Sequence, residues 1–239
     1  MSKLDLLFLG SGNAFAAQGR AFSSFLLNGR YLFDCGPTVL QQLAKAGVAP
    51  KDIEAVFISH YHADHFFGLP FLLLEAKYGS RDKDLTIVGP PGIEARTVSL
   101  LELGYPGVVD SVNYTRRYVE ARDGFEATVE GLAVTAARVK HVDEFECFAY
   151  RVEAAGRSLV YSGDTTLCEG LLRLVDGSDV VVTEYSCNDV PVHLGPAGIA
   201  EVVRRAGDAK VIVTHLEGRQ HPTGHNGLIV AEDLARYSF

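Results

Sequence analysis

The chain has 239 residues, enough for one large domain or two small ones and for a sizeable hydrophobic core. Hydrophobic residues make up 47% and charged residues 22%, which excludes a disordered chain, a coiled coil and a collagen-like repeat. Lys and Arg number 22 against 30 Asp and Glu, and the resulting charge of −8 lacks the electrostatic footprint of a general nucleic-acid binder.

The first apolar run, Leu4 to Leu9, is too short for a signal h-region, and no run reaches the roughly 20 apolar residues of a membrane span. Lys3 to Leu9 instead predicts a strand, closed by a tight turn at Gly10-Ser11-Gly12-Asn13. That turn is not a dinucleotide fingerprint, because position 15 is Phe. Phe22 to Leu27 and Arg30 to Asp34 form a hairpin through Asn28-Gly29, the pair that best accepts positive φ at both turn positions. A helix follows from Pro37 to Ala46, with Val39, Leu40 and Leu43 on one face and Gly47 as its stop. Ile53 to Ser59 is a β-branched strand that runs into His60-Tyr61-His62-Ala63-Asp64-His65.

Residues 67 to 78 read as one mostly apolar helix, Leu85 to Val88 as a buried strand and Ile93 to Leu103 as a helix. Val108 to Val139 predicts several strands with polar turns. Phe145 to Val152 and Ser158 to Ser162 pair around Ala155-Gly156. Val180 to Thr183 is a buried strand, Pro196 opens a helix carrying Ile199, Val202, Val203 and Ala206, and Val211 to Val213 is a strand ending at Thr214-His215. No repeat or linker divides the chain, so residues 1–239 are expected to form one α/β (α+β) domain, two mixed sheets face to face with helices outside. The four cysteines, Cys35, Cys147, Cys168 and Cys187, lie far apart with no CxxC pair, and reduced thiols in a cytoplasmic protein are expected. Cys35 reads as a small buried filler.

Six of the eight histidines belong to one pattern. Three imidazoles and a carboxylate crowd into residues 60–65, where an apolar strand meets a loop. Alternate residues of extended chain project the same way, so His60 and His62 can face one ion while Asp64 and His65 reach a neighbour. Imidazole and carboxylate suit zinc, and also manganese, iron or cobalt. His141, Asp164 and His215 each follow a strand-like segment beside a turn, where ligands of layered α/β folds sit.

These stretches resemble the metallo-β-lactamase superfamily in its dinuclear hydrolase form, from Leu6 to Leu216, with five motifs in the family's order. The resemblance implies a metallo-β-lactamase-like αββα four-layer sandwich. It implies that Asp34, in Phe33-Asp34-Cys35-Gly36, orients a ligand histidine. It implies that His60, His62 and His141 hold one divalent ion, that Asp64, His65 and His215 hold a second, and that Asp164 bridges both. Such a site performs metal-assisted hydrolysis with a hydroxide shared between the ions. His62 stands where the oxygen- and nitric-oxide-reducing diiron branch carries glutamate, which counts against a redox enzyme.

Thr183-Glu184-Tyr185-Ser186 and His193-Leu194-Gly195 look like paired elements of the RNase Z-like phosphodiesterases. There a glutamate supports a histidine that protonates the leaving oxygen; His193, Glu184 and Asp64 are the catalytic candidates on this reading. The pattern departs at Thr183, where the family has histidine. Only 22 residues separate His141 from Asp164, so the long tRNA-holding arm inserted there in many bacterial RNase Z enzymes is absent. With the negative charge, this disfavours tRNA and favours a small phosphodiester: a cyclic nucleotide, a cyclic sugar phosphate or a short oligonucleotide. Arg20, Lys140 and Arg219 flank the site segments as candidate phosphate contacts. His221 and His225 read as exposed loop histidines, with a place at the site mouth as the alternative. Competing readings are a carboxyl-ester or lactone hydrolase, an RNase Z-type tRNA 3′-processing endonuclease, and a catalytically silent metal-binding protein. No membrane partner is expected, and the resemblance leaves a homodimer open.

Overall fold

A computed structural model describes residues 3–79, 81–108, 112–188, 190–218 and 227–239. In chain order its strands are β1 (Asp5–Gly10), β2 (Ser24–Leu27), β3 (Tyr31–Phe33), β4 (Ala55–Phe57), β5 (Leu85–Gly89) and β6 (Arg116–Glu120). Then come β7 (Phe125–Val129), β8 (Leu132–Val139), β9 (Cys147–Ala154), β10 (Arg157–Tyr161), β11 (Val180–Glu184), β12 (Lys210–Thr214), β13 (Ile229–Val230) and β14 (Arg236–Ser238). They form two seven-stranded sheets, ordered β14-β1-β2-β3-β4-β5-β6 and β13-β12-β11-β10-β9-β8-β7. Each sheet is parallel over one half, β3 to β6 and β10 to β13, and antiparallel over the other.

The Asn28-Gly29 turn has the geometry its sequence demands. Both residues have positive φ, 52° and 70°, and Arg30 N–H closes the turn on Leu27 C=O at 3.1 Å. Apolar residues on both faces of the strands then produce three cores. Between the sheets, Phe25, Phe33 and Phe57 stack in succession at 4.7 and 4.9 Å, and Tyr161 of the second sheet meets Phe25 edge-on at 5.3 Å. Outside the first sheet lie α1 (Val39–Lys45), α2 (Ala63–Phe66), α3 (Leu69–Tyr78) and α4 (Ile93–Gly104), burying Leu43, Leu69, Leu73 and Leu101. Outside the second lie α5 (Glu169–Val175) and α6 (Pro196–Ala206), burying Leu171, Ile199 and Val202. The layering is the expected αββα sandwich. Among the described residues no helix is long and apolar enough to cross a membrane.

The helix expected over 67–78 forms as α3, starting two residues later, at Leu69, and a separate turn precedes it. That turn forms at Ala63–Phe66, and the chain resets at Phe67-Gly68 before α3 begins. The cause is a close backbone crossing: a Cβ on Gly68 would lie 2.1 Å from Gly36 O, and one on Gly36 would lie 2.0 Å from Asp64 O. Two hydrogen bonds fasten the crossing, Cys35 N–H to His65 O and Gly68 N–H to Cys35 O, each 2.7 Å. Cys35 is buried in it as the expected filler, and the four cysteines are free thiols. Sequence reading also missed α5, β13 and β14, since a seven-residue helix and strands of two and three residues are too short for periodicity to register.

Gly68→Ala is therefore expected to destabilise the fold by roughly 1–3 kcal/mol, the range for overpacking. Gly104→Ala, at the end of α4 with nothing within 4 Å of an added Cβ, is expected to leave stability within about 0.5 kcal/mol. Urea denaturation of both variants checks the contrast.

Candidate metal centre

Both sheets send residues to one end of the sandwich. Asp34 follows β3, His60 follows β4, Asp164 follows β10, Glu184 ends β11 and His215 follows β12, at the carboxyl ends of parallel strands where α/β sheets bind ligands. His141 follows β8 across the same rim. Asp34 and His215 hold left-handed backbone, φ 55° and 58°, a strained conformation for non-glycine residues that clusters at functional sites.

The change of backbone inside residues 60–65 separates the two sets of donors. His62 is extended, φ −62° and ψ 148°, and the helical turn begins at Ala63. His60 and His62 thus face His141, with His62 Nδ1 3.0 Å from both His60 Nε2 and His141 Nε2. Asp64 and His65 swing round to His215: Asp64 Oδ2 is 3.2 Å from His65 Nε2 and 3.3 Å from His215 Nε2. Asp164 lies between the sets. Its Oδ2 is 3.2 Å from His215 Nε2, 3.4 Å from His65 Nε2, 3.8 Å from His141 Nε2 and 3.9 Å from His60 Nε2.

The hydrogen-bond network dictates which nitrogens are bare. Ser59 Oγ donates its single hydrogen to Asp34 Oδ2 at 2.8 Å, so its 2.9 Å contact with His60 Nδ1 places a proton on that nitrogen. His141 Nδ1 donates to Val192 O at 2.8 Å, and His65 Nδ1 donates to Asp34 Oδ2 at 2.6 Å. In each neutral ring this leaves Nε2 as an unshared pair aimed at the common centre. Burial lowers the basicity of His60, His62 and His141 and favours this neutral, ligating form. At His65 burial also opposes charge, but the carboxylates of Asp164, Asp64 and Asp34 outweigh it and hold its basicity well above ordinary.

That environment asks for positive charge. His65 Nε2 and Asp164 Oδ1 are buried without a hydrogen-bond partner. A tetrahedral ion with bonds of about 2.0–2.1 Å sets donor–donor edges of about 3.3 Å, close to the spacings here. Among the described residues, three donor groups could hold a metal ion: His60, His62, His141 and Asp164; Asp64, His65 and His215; and Asp164, His193 and His215. The His and Asp clusters of this fold point to divalent-metal binding.

Asp34 is the hub of the supporting shell. Besides His65 and Ser59 Oγ, it accepts Ser59 N–H at 2.7 Å and the Tyr161 hydroxyl at 2.6 Å. Sequence reading found Asp34 but missed Ser59 and Tyr161, since a serine and a strand tyrosine carry no signal of their own. The Glu184–His193 pair is formed: His193 Nδ1 lies 2.7 Å from Glu184 Oε2, and Glu184 Oε1 accepts Thr165 N–H. Burial opposes charge on His193, but the hydrogen bond and charge of Glu184, with Asp164 behind it, raise its pKa to about 9.

The donors open into a cleft of about 280 Å³ whose wall includes Asn13, Phe15, His193 and Glu217. Phe15 and Glu217 were not candidates in the sequence, and Asn13 stood out there only as part of the tight turn. Arg20 does not line the cleft; its Nη1 donates to Ser11 Oγ at 2.6 Å and to Ala231 O at 3.3 Å. Lys140 lines a second hollow with Arg138, Glu169 and His141. Arg219, His221 and His225 lie outside the described residues. The interval from His141 to Asp164 is filled by β9, the Ala155-Gly156 turn and β10, with no inserted arm.

The Beta-lactamase superfamily domain matches residues 29–216. A protein named Ribonuclease Z from Geobacillus kaustophilus is 28% identical, over 90% of this chain and 89% of that one. Among solved structures, the short form of human tRNase Z superposes with a TM-score of 0.77 at 25% identity, covering 98% of both chains. The metallo-β-lactamase fold protein YhfI from Bacillus subtilis gives 0.81 at 20% identity over the whole of both chains.

Asp34→Asn is expected to weaken zinc uptake 10- to 100-fold with the fold retained, the usual cost of losing a carboxylate behind a ligand histidine. Competition with a chromogenic chelator measures it, and unchanged affinity would remove Asp34 from the metal's support.

Proposed function

The chain belongs to the β-lactamase superfamily, and on that premise we propose that it is a metal-dependent hydrolase of phosphodiester bonds working on two divalent ions. His60, His62 and His141 would hold one ion, Asp64, His65 and His215 the other, and Asp164 lies within reach of both sets. Nitrogen and oxygen donors at these spacings suit zinc best and also accept manganese, iron or cobalt. Bound divalent ions supply water acidic enough to attack at neutral pH and a Lewis acid for the phosphoryl oxygens.

The observation that carries the reading is the Glu184–His193 pair at the lip of the donor cluster. A phosphodiester expels an alkoxide, a poor leaving group unless it takes up a proton. Glu184 holds the proton on His193 Nδ1 and stabilises the imidazolium, which leaves Nε2–H as the donor toward the departing oxygen. Asp34 fixes the tautomer and angle of His65 so that its Nε2 would be presented to the ion. Tyr161 and Ser59 keep Asp34 from turning away. An RNase Z-type endonuclease is the second reading, favoured by the ribonuclease Z relatives. The absence of an inserted arm and the acidic cleft favour a smaller phosphodiester.

Three measurements test this. A panel on zinc- or manganese-loaded protein, holding cyclic nucleotides, pre-tRNA and lactones, should give turnover on a phosphodiester; turnover on lactones alone would refute the reading. His193→Ala should lower kcat by about 10²–10⁴ for an alkyl leaving group, with metal content unchanged. Parallel loss of metal would make His193 a ligand with Asp164 and His215 instead. The acid must be protonated, so the rate falls as pH rises through the pKa of His193. Glu184→Gln removes the charge that raises that pKa, and the high-pH limb of kcat should move to lower pH.

A further inference from the structure

We propose that Phe15 is a stacking platform for the substrate's nucleobase, which makes the substrate a nucleotide phosphodiester rather than a sugar phosphate. This rests on the hydrolase reading above and names the substrate class of the same centre.

Phe15 is 86% exposed, yet it lines the cleft that holds His62, Asp164 and His193. Single exposed apolar side chains are ordinary on a protein surface. This one stands at the mouth of a polar cleft, on a loop whose shape is fixed. Asn13, itself buried, receives Phe15 N–H on its side-chain oxygen at 3.2 Å and Ala16 N–H on its carbonyl at 3.0 Å. Its own N–H donates to Leu216 O at 3.3 Å, tying the loop to the residue after His215. Ala16 and Gln18 hold left-handed φ, 46° and 60°, a strain that persists only where the surroundings over-determine the backbone. A rigid, strained loop thus presents a bare aromatic face to solvent beside the donors.

Charge decides what covers that face. Among the described residues of the cleft wall there is no Lys or Arg. Once Asp64 and Asp164 face ions and Glu184 faces His193, the carboxylate of Glu217 still borders the cleft. It is locked by Ser186 Oγ at 2.9 Å and by Cys187 Sγ and Asn188 Nδ2, each 3.0 Å. A second phosphate there would be repelled, whereas a neutral base would not. The occupant that fits is a phosphodiester whose remaining group is flat, aromatic and uncharged. Phenylalanine has no polar atom, so it reads the π-face common to all bases rather than their edges.

The chain contains no tryptophan, so Phe15→Trp installs a sole indole at the exposed platform, which can be excited apart from the ten tyrosines. Titrated into the metal-loaded variant, AMP should quench its emission saturably and ribose 5-phosphate should not. Equal quenching by both, or none by AMP, overturns the proposal. In a kinetic arm, Phe15→Ala should lower the ratio of kcat/KM for 2′,3′-cyclic AMP to that for the abasic ribose 2′,3′-cyclic phosphate about tenfold or more. An unchanged ratio with both substrates turned over overturns the stacking and spares the hydrolase reading. AMP-specific quenching with no turnover of any phosphodiester supports the stacking and overturns the hydrolase reading.

Discussion

Five imidazoles and two carboxylates converge in a buried space where their unshared electron pairs point at one another, and only positive charge makes that arrangement tolerable. Protons could supply it in part, and the three carboxylates around His65 raise that ring's basicity well above ordinary. They cannot supply it everywhere, because His60 Nδ1 and His141 Nδ1 already carry the protons that Ser59 and Val192 require, and burial resists a second one on either ring. Divalent ions would remove the conflict at both donor sets, with Asp164 within reach of the two. The rest of the architecture follows as the means of holding these groups where they would otherwise repel.

The sandwich does this by joining its two sheets at the site. Asp34 leaves the first sheet in strained backbone and is bonded by Tyr161 from the second, through the stacked phenylalanines of the inter-sheet core. Gly36 and Gly68 let the Asp34 loop lie directly on the turn that carries Asp64 and His65. The same crossing that interrupts the helix after His65 therefore sets the second donor group apart from the first. Packing and ligand geometry are here one constraint.

Much of this was legible in the sequence. The strand ending in His60–His65 and the turns bearing His141, Asp164 and His215 carry dense chemical signal, and resemblance assigned them a common centre. Glu184 and His193 were legible as a pair by the same route. The break between α2 and α3 was hidden, because it depends on a backbone crossing from residues 34–36 that no local periodicity encodes. Ser59 and Tyr161 were hidden for a related reason: their roles exist only through contact with Asp34, 25 and 127 positions away. Arg20 misled because a cation near a motif looks the same in sequence whether it faces substrate or Ser11.

The claim on which all of this depends is that two ions sit at the rim where the sheets meet. Anomalous diffraction at the zinc edge from crystals of metal-loaded protein measures it directly. Two peaks should appear, one among His60, His62 and His141 and one among Asp64, His65 and His215, both in contact with Asp164. No peak at this rim, or histidine side chains turned away from it in the crystal, would contradict the account.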